Sequence, residues 1–279
     1  MAEFDHGFKV ISRQAGRELA RLAGVTCRSW EVVESTLQVT TERLADRVFR
    51  AQQGRARFLV YMEFYTTWNP DALWNALGKS GLLSEQEKLP TWCLLFVLKR
   101  KGYRSHGGSF QLKAAGQPTQ QLWFKEVPLW DQVPQPWWEE VPGLMSLYPL
   151  CKHSQPPRQA ITHAVTAIEG RELSTIEKAD YLSLLDIFGE LAFPRLDIGQ
   201  IIGREKMKGS RFAQDFMGEG KRDAILRILR ARFGEVNPEA VEAINTVEDI
   251  GRLDDLIDMA VRCSRLQDFR DVLLAGRKR

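Results

Sequence analysis

The chain holds little cysteine and spends it singly. Four thiols occur in 279 residues, at Cys27, Cys93, Cys151 and Cys263. None has the close pairing that a zinc knuckle or a CxxC redox centre requires, so all four are expected as reduced core residues. Histidine is equally sparse, and His6, His106, His153 and His163 share no ligand spacing. Long hydrophobic runs are missing. The greasiest stretch, Trp92 to Leu98, breaks into Lys99, Arg100 and Lys101, well short of the ~18 apolar residues that span a bilayer. No membrane partner is expected. The opening MAEFDHGFKV carries two acids and lacks the apolar core of an export signal, which sets the expected location in the cytoplasm. Neither a fixed-period repeat nor a low-complexity tract occurs, and this excludes a solenoid or a fibre. A strong charge of one sign is lacking too: 39 Lys and Arg face 36 Asp and Glu, a net of +3. That is too little to announce a nucleic-acid binder by itself.

What remains is an ordinary globular composition, 44% hydrophobic and 27% charged. Such a chain can bury a real core as one large domain or two small ones. Residues 5 to 23 carry a helical stripe of Phe8, Val10, Ile11, Leu19, Leu22 and Ala23 that Gly24 ends. The period then changes to short β-branched runs from Trp30 onward. Ala45 to Phe49 reads as a strand, Gly54 in AQQGRAR as a hairpin turn, and Phe58 to Thr67 as the returning strand. Asn69-Pro70 starts a helix through ALWNALGKSGLL, and Thr91 to Leu98 is a strand buried on both faces. GGSFQLK and QLWFKEVPLW supply two more strands. Residues 1 to 150 therefore read as an α/β domain with a mixed central sheet flanked by helices. A bridge from Val133 to Pro157, holding six of the twelve prolines, leads to an all-α C-terminal domain, residues 158 to 279, in which apolar residues recur three and four apart.

The hairpin offers the one placement that suggests chemistry. Asp46 and Glu63 lie on its two strands with the turn roughly midway, so both carboxylates can face one pocket. Converging acids repel unless a cation sits between them, and hard oxygen ligands of this kind suit Mg2+. The same spacing equally describes two solvent-facing acids. Alternation places Tyr61, Glu63 and Tyr65 on one face of their strand.

In order along the chain, LADRVFR, VYMEFYTTWNPD, TWCLLFVLKR, QLWFKEVPLWD and MKGSRFAQDFMGEGKRDAILRILRARFG resemble the bacterial Rpn-type recombination-promoting nuclease and transposase family, of the PD-(D/E)XK nuclease superfamily. The likeness covers nearly the whole chain. It implies a restriction-endonuclease-like fold and Mg2+-dependent endonuclease hydrolysis of DNA. Asp46 and Glu63 match the family's metal-holding acids. Asp5 and Lys9 match its opening helix, with Glu18 as a further candidate acid, although Asp5 equally suits a helix cap and Lys9 a solvated helix face. Where the family has Gln or Lys two residues after the glutamate, this chain has Tyr65. A phenol can orient a water but offsets phosphate charge poorly, so the alternative is a catalytically degenerate nuclease fold that binds DNA or a protein. After Pro70 the chain offers Trp74, Asn75 and Lys79 where the family often has Arg and Tyr. Arg43, Arg47, Arg50, Arg55 and Arg57 cluster in sequence around the hairpin and are the expected phosphate contacts, or arginines that only aid solubility. The helical tail is the expected surface for forming a homo-oligomer.

Overall fold

The computed structural model describes residues 2–26, 28–33, 36–37, 43–44, 47–69, 71–114 and 116–275. The chain is a mixed α/β arrangement with a central sheet flanked by helices, followed by an all-helical C-terminal region. It opens with α1 (Ala2–Leu22). The strands are β1 (Ser29–Val33), β2 (Thr36–Leu37), β3 (Arg43–Leu44), β4 (Arg47–Gln53), β5 (Ala56–Tyr65), β6 (Thr91–Val97), β7 (Ser109–Ala114) and β8 (Gln117–Pro128). Six of them form one sheet in the order β1-β4-β5-β6-β8-β7, while β2 and β3 pair separately.

The β4–β5 hairpin turns at Gly54, whose φ of 61° is cheap only for glycine. Its register runs from Gln53↔Ala56 to Arg47↔Met62. Parallel pairing then joins β5 to β6 and β6 to β8, and β7 closes the edge antiparallel. The crossover between the parallel strands β5 and β6 is α2 (Ala72–Glu87).

Period-two alternation sorts the two faces of the sheet. Val48, Leu59, Tyr61, Cys93, Leu95, Leu122 and Phe124 form one core with Leu73, Ala76 and Leu83 of α2. On the other face α1 lies so close to β4 that a Cβ on Gly16 would stand 2.5 Å from the ring of Phe49. That ring is wholly buried and stacks on Trp30 at 4.5 Å.

After β8 the chain turns helical. α3 (Pro142–Leu147), α4 (Pro157–Glu169), α5 (Thr175–Ala192) and α6 (Ile198–Ile202) belong with the sheet in a first compact unit, residues 1–208. Trp138 is buried, and Trp137 lies under the Arg21 guanidinium at 4.4 Å, so the pair pins the proline-rich stretch to α1. α7 (Arg211–Phe233), α8 (Pro238–Asn245), α9 (Ile250–Arg262) and α10 (Leu266–Ala275) make the second unit, residues 209–279. Its core includes Ile225, Leu229, Ile244, Leu253, Leu256 and Phe269. The compact units thus part at 208/209, not in the bridge near 150 to 158 where composition places the boundary.

Candidate functional site

Glu63 is a buried acid of the sheet, 6% exposed, on the face that α2 covers. A carboxylate there is costly unless a cation or hydrogen-bond donors meet it. Lys79 supplies the cation. It lies on α2 beside the apolar stripe of Ala72, Ala76 and Leu83, and its Nζ donates to Glu63 Oε1. The hydroxyl of Tyr61, two residues back on the same face, donates to the same oxygen. Both of these hydrogen bonds fall on Oε1. Beneath the pair, burial and then the negative charge of Glu63 push the Cys93 thiol up to about 12, partly offset by a hydrogen bond with Ser80, so it stays protonated and unreactive.

A second acid shares this face. In register, Glu63 lies beside Leu95 and Leu95 beside Glu126, so the two glutamates occupy one row with a strand between them, about 10 Å apart at ~4.8 Å per strand. The Glu126 side chain is 8% exposed. It accepts from Ser105 Oγ at 2.6 Å and from the His106 backbone N–H at 3.0 Å, and lies 3.2 Å from His106 Nδ1. Next to it the rings are layered. Trp68 is tilted against Tyr65, meets Tyr103 edge-on and stacks on His106 at 4.9 Å; Tyr103 also meets Trp130. Burial and the neighbouring Glu126 push the Tyr103 phenol up to about 12. All these groups gather toward the carboxyl ends of β5, β6 and β8, the end of an open α/β sheet at which ligands bind.

The expected residues are distributed as follows. Asp46 lies outside the described residues. Its successor Arg47 pairs with Met62, the residue before Glu63. Tyr65 closes β5, half-buried, on the same side as Glu63. Asp5 and Lys9 fall within α1, and their side chains are outside the description, as is that of Arg43 in β3. Glu18 is not brought to Glu63: it belongs to α1, on the opposite side of the sheet, in a cleft lined by Arg17, Arg21, Val25 and Thr26.

Of the expected phosphate-binding arginines, Arg50, Arg55 and Arg57 are not brought to Glu63. Arg50 is occupied by Glu87 of α2 at 2.5 Å and Glu31 of β1 at 3.6 Å. Arg55, in the turn, and Arg57, early in β5, are exposed at the hairpin tip; Arg57 stands six residues before Glu63 on the extended strand, about 20 Å away at ~3.3 Å per residue. Closeness in sequence to a hairpin is not closeness to one of its ends.

Sequence reasoning named Lys79 only as a departure from the family's pocket-lining pattern and missed Glu126, yet each had a signal. Lys79 interrupts an apolar helical stripe, and Glu126 alternates with Leu122 and Phe124 on a buried strand face. A charge in an apolar pattern announces a buried partner. Among the described residues no group of three or more His, Cys, Asp and Glu side chains is placed to hold a metal ion, and no helix is long and apolar enough to cross a membrane. Compared with protein-family models, with curated proteins and with solved structures, the chain matches none of them.

Proposed function

We propose that residues 1–208 form a restriction-endonuclease-like domain of PD-(D/E)XK type that cuts DNA phosphodiesters with Mg2+. In this reading the chain works in the cytoplasm on DNA and self-associates through its C-terminal helices. One observation carries the proposal: a buried glutamate near the carboxyl end of a parallel strand meets the ammonium of Lys79, beside the strand that leads back to Asp46. The donor set suits a hard divalent ion. In this reading Glu63 and Asp46 are the one or two protein carboxylates that Mg2+ typically takes, with water and phosphate oxygens filling its shell. Bound there, such an ion supplies Lewis-acid polarisation of the phosphate and a more acidic water.

The rest is the chain's own work. Lys79 holds Glu63 in one orientation and provides from α2 the positive charge that Tyr65 cannot provide from the strand. It offsets charge developing on the phosphate, while the phenol of Tyr65 orients a water by hydrogen bonding.

A second reading, a degenerate fold that retains DNA without cutting it, is favoured by the way Tyr61 and Lys79 both engage Glu63 inside the core. Supercoiled plasmid incubated with purified protein and Mg2+ separates the two. The proposal predicts nicked and linear product that falls at least 100-fold in Glu63→Gln and Asp46→Asn, and strongly in Lys79→Met. DNA retention without product supports the degenerate reading, and product that persists in Glu63→Gln overturns this site.

A further inference from the structure

The segment between β6 and β7, Leu98–Gly108, carries four cations in six residues, Lys99, Arg100, Lys101 and Arg104, and no acid. Arg100, Lys101 and Arg104 are exposed and Lys99 is half-buried. None of the four is ion-paired among the described residues, in contrast to Arg50, which two glutamates neutralise. Cations this dense give the loop a local positive potential that favours a polyanion.

The segment is also built to hold still. At its start the Leu98 and Lys99 N–H groups donate to the carbonyls of Tyr65 and Thr66, at 2.9 and 3.0 Å. In its middle Tyr103 donates its N–H to Arg100 and wedges its ring between Trp68 and Trp130. At its end Ser105 and His106 are tied to Glu126, His106 stacks on Trp68, and Gly107 and Gly108 take left-handed turns. A flexible basic tail loses entropy on every phosphate it meets, whereas a loop fixed by a buried carboxylate and an aromatic stack has lost most of it in folding.

We propose that Leu98–Gly108 is the DNA-backbone clamp of this chain, with Lys99, Arg100, Lys101 and Arg104 meeting phosphates and Glu126 acting as the positioning residue that fixes the loop. The proposal rests on the DNA reading above for its ligand and reassigns the contact from the β4–β5 hairpin to the carboxyl ends of the parallel strands. Recognition through phosphates positions the duplex without reading its sequence.

The test is fluorescence anisotropy with a duplex of about 20 base pairs in EDTA, so that cutting plays no part. Replacing the four cations together by alanine is expected to weaken binding at least 30-fold near 0.1 M salt. It should also flatten the slope of log K against log salt by about 3.6, since each of the four lost phosphate contacts removes ~0.9. Arg55→Ala with Arg57→Ala should leave both within about twofold. Glu126→Ala removes a negative charge and would tighten binding if charge alone mattered; loss of loop order weakens it several-fold instead. Circular dichroism verifies that each variant is folded.

Unchanged affinity and slope in the fourfold variant overturn the proposal, as does a wild-type chain that binds no duplex. Tighter binding by Glu126→Ala overturns the positioning role. A chain that binds through this loop yet never cuts plasmid keeps the clamp and loses the nuclease; one that cuts with an unaffected loop variant does the reverse.

Discussion

Lys79 occupies a helix position at which the stripe of Ala72, Ala76 and Leu83 would accept a methyl, and it is held there by Glu63. With side chains 13% and 7% exposed, the pair lies in the range where desolvation and attraction nearly cancel, so its net contribution is small while the cost of breaking it is large. Lys79→Met alone should therefore lower stability by about 3 kcal/mol, because it leaves a buried carboxylate without its cation. Adding Glu63→Gln to that variant should restore most of the loss. Urea titrations of the two single variants and the double variant measure the coupling directly. The alternation of Tyr61, Glu63 and Tyr65 was legible in the sequence because a strand's period is fixed by its backbone. The identity of the partner was not, because Lys79 comes from a separate element 16 residues on, and only the α2 crossover brings the two together. Glu126 has the same character, an acid on an apolar face whose partners lie in a loop 20 residues away. Asp46, the other half of the expected pair, lies outside the described residues.

At the level of elements, the sheet depends on α1 approaching β4 without a side chain in between. Alanine at Gly16 would gain ~1 kcal/mol of helix propensity. However, its methyl would stand 2.5 Å from a Phe49 ring that cannot retreat, being fully buried and stacked on Trp30. Overpacking typically costs about 1 to 3 kcal/mol, and a contact this close to an immobile ring belongs at the upper end. Gly16→Ala should lower the urea midpoint by the equivalent of about 1 to 2 kcal/mol, with the slope unchanged; equal or higher stability would mean that α1 can lift off the strand. The helix at residues 5 to 23, the hairpin about Gly54 and the buried strand of TWCLLFVL were all legible, since each rests on local periodicity or one turn residue. The expected strand Ala45–Phe49 overlaps β4, which among the described residues runs Arg47–Gln53 and continues past Phe49 because pairing with β5, rather than its own composition, sets where it ends. Strand pairing also explains why Arg55 and Arg57 lie far from Glu63. The antiparallel register carries Arg55 and Arg57 to one end of the sheet and Glu63 toward the other.

Across the whole molecule, composition places a boundary in the proline-rich stretch, yet the compact units divide at 208/209. Pro142 and Pro157 open α3 and α4 at a first-turn position that has no backbone donor to satisfy, so they begin helices rather than mark a linker. The division is punctuated instead by Gly209, with φ of 86°, and by Ser210, whose hydroxyl caps α7 by accepting from the Ala213 N–H at 3.0 Å. Helices α3 to α6 thus share a unit with the sheet and its row of buried acids, and α7 to α10 have a core of their own. If the first unit cuts DNA with Mg2+ as proposed, Glu63 and Asp46 together take up a divalent ion in the presence of DNA. Calorimetric titration of Mn2+ into the full chain with a bound duplex tests it most directly. The account predicts about one ion per chain, with uptake weakened at least tenfold in both Glu63→Gln and Asp46→Asn. Uptake that neither substitution alters, or none at all while the duplex stays bound, would contradict it.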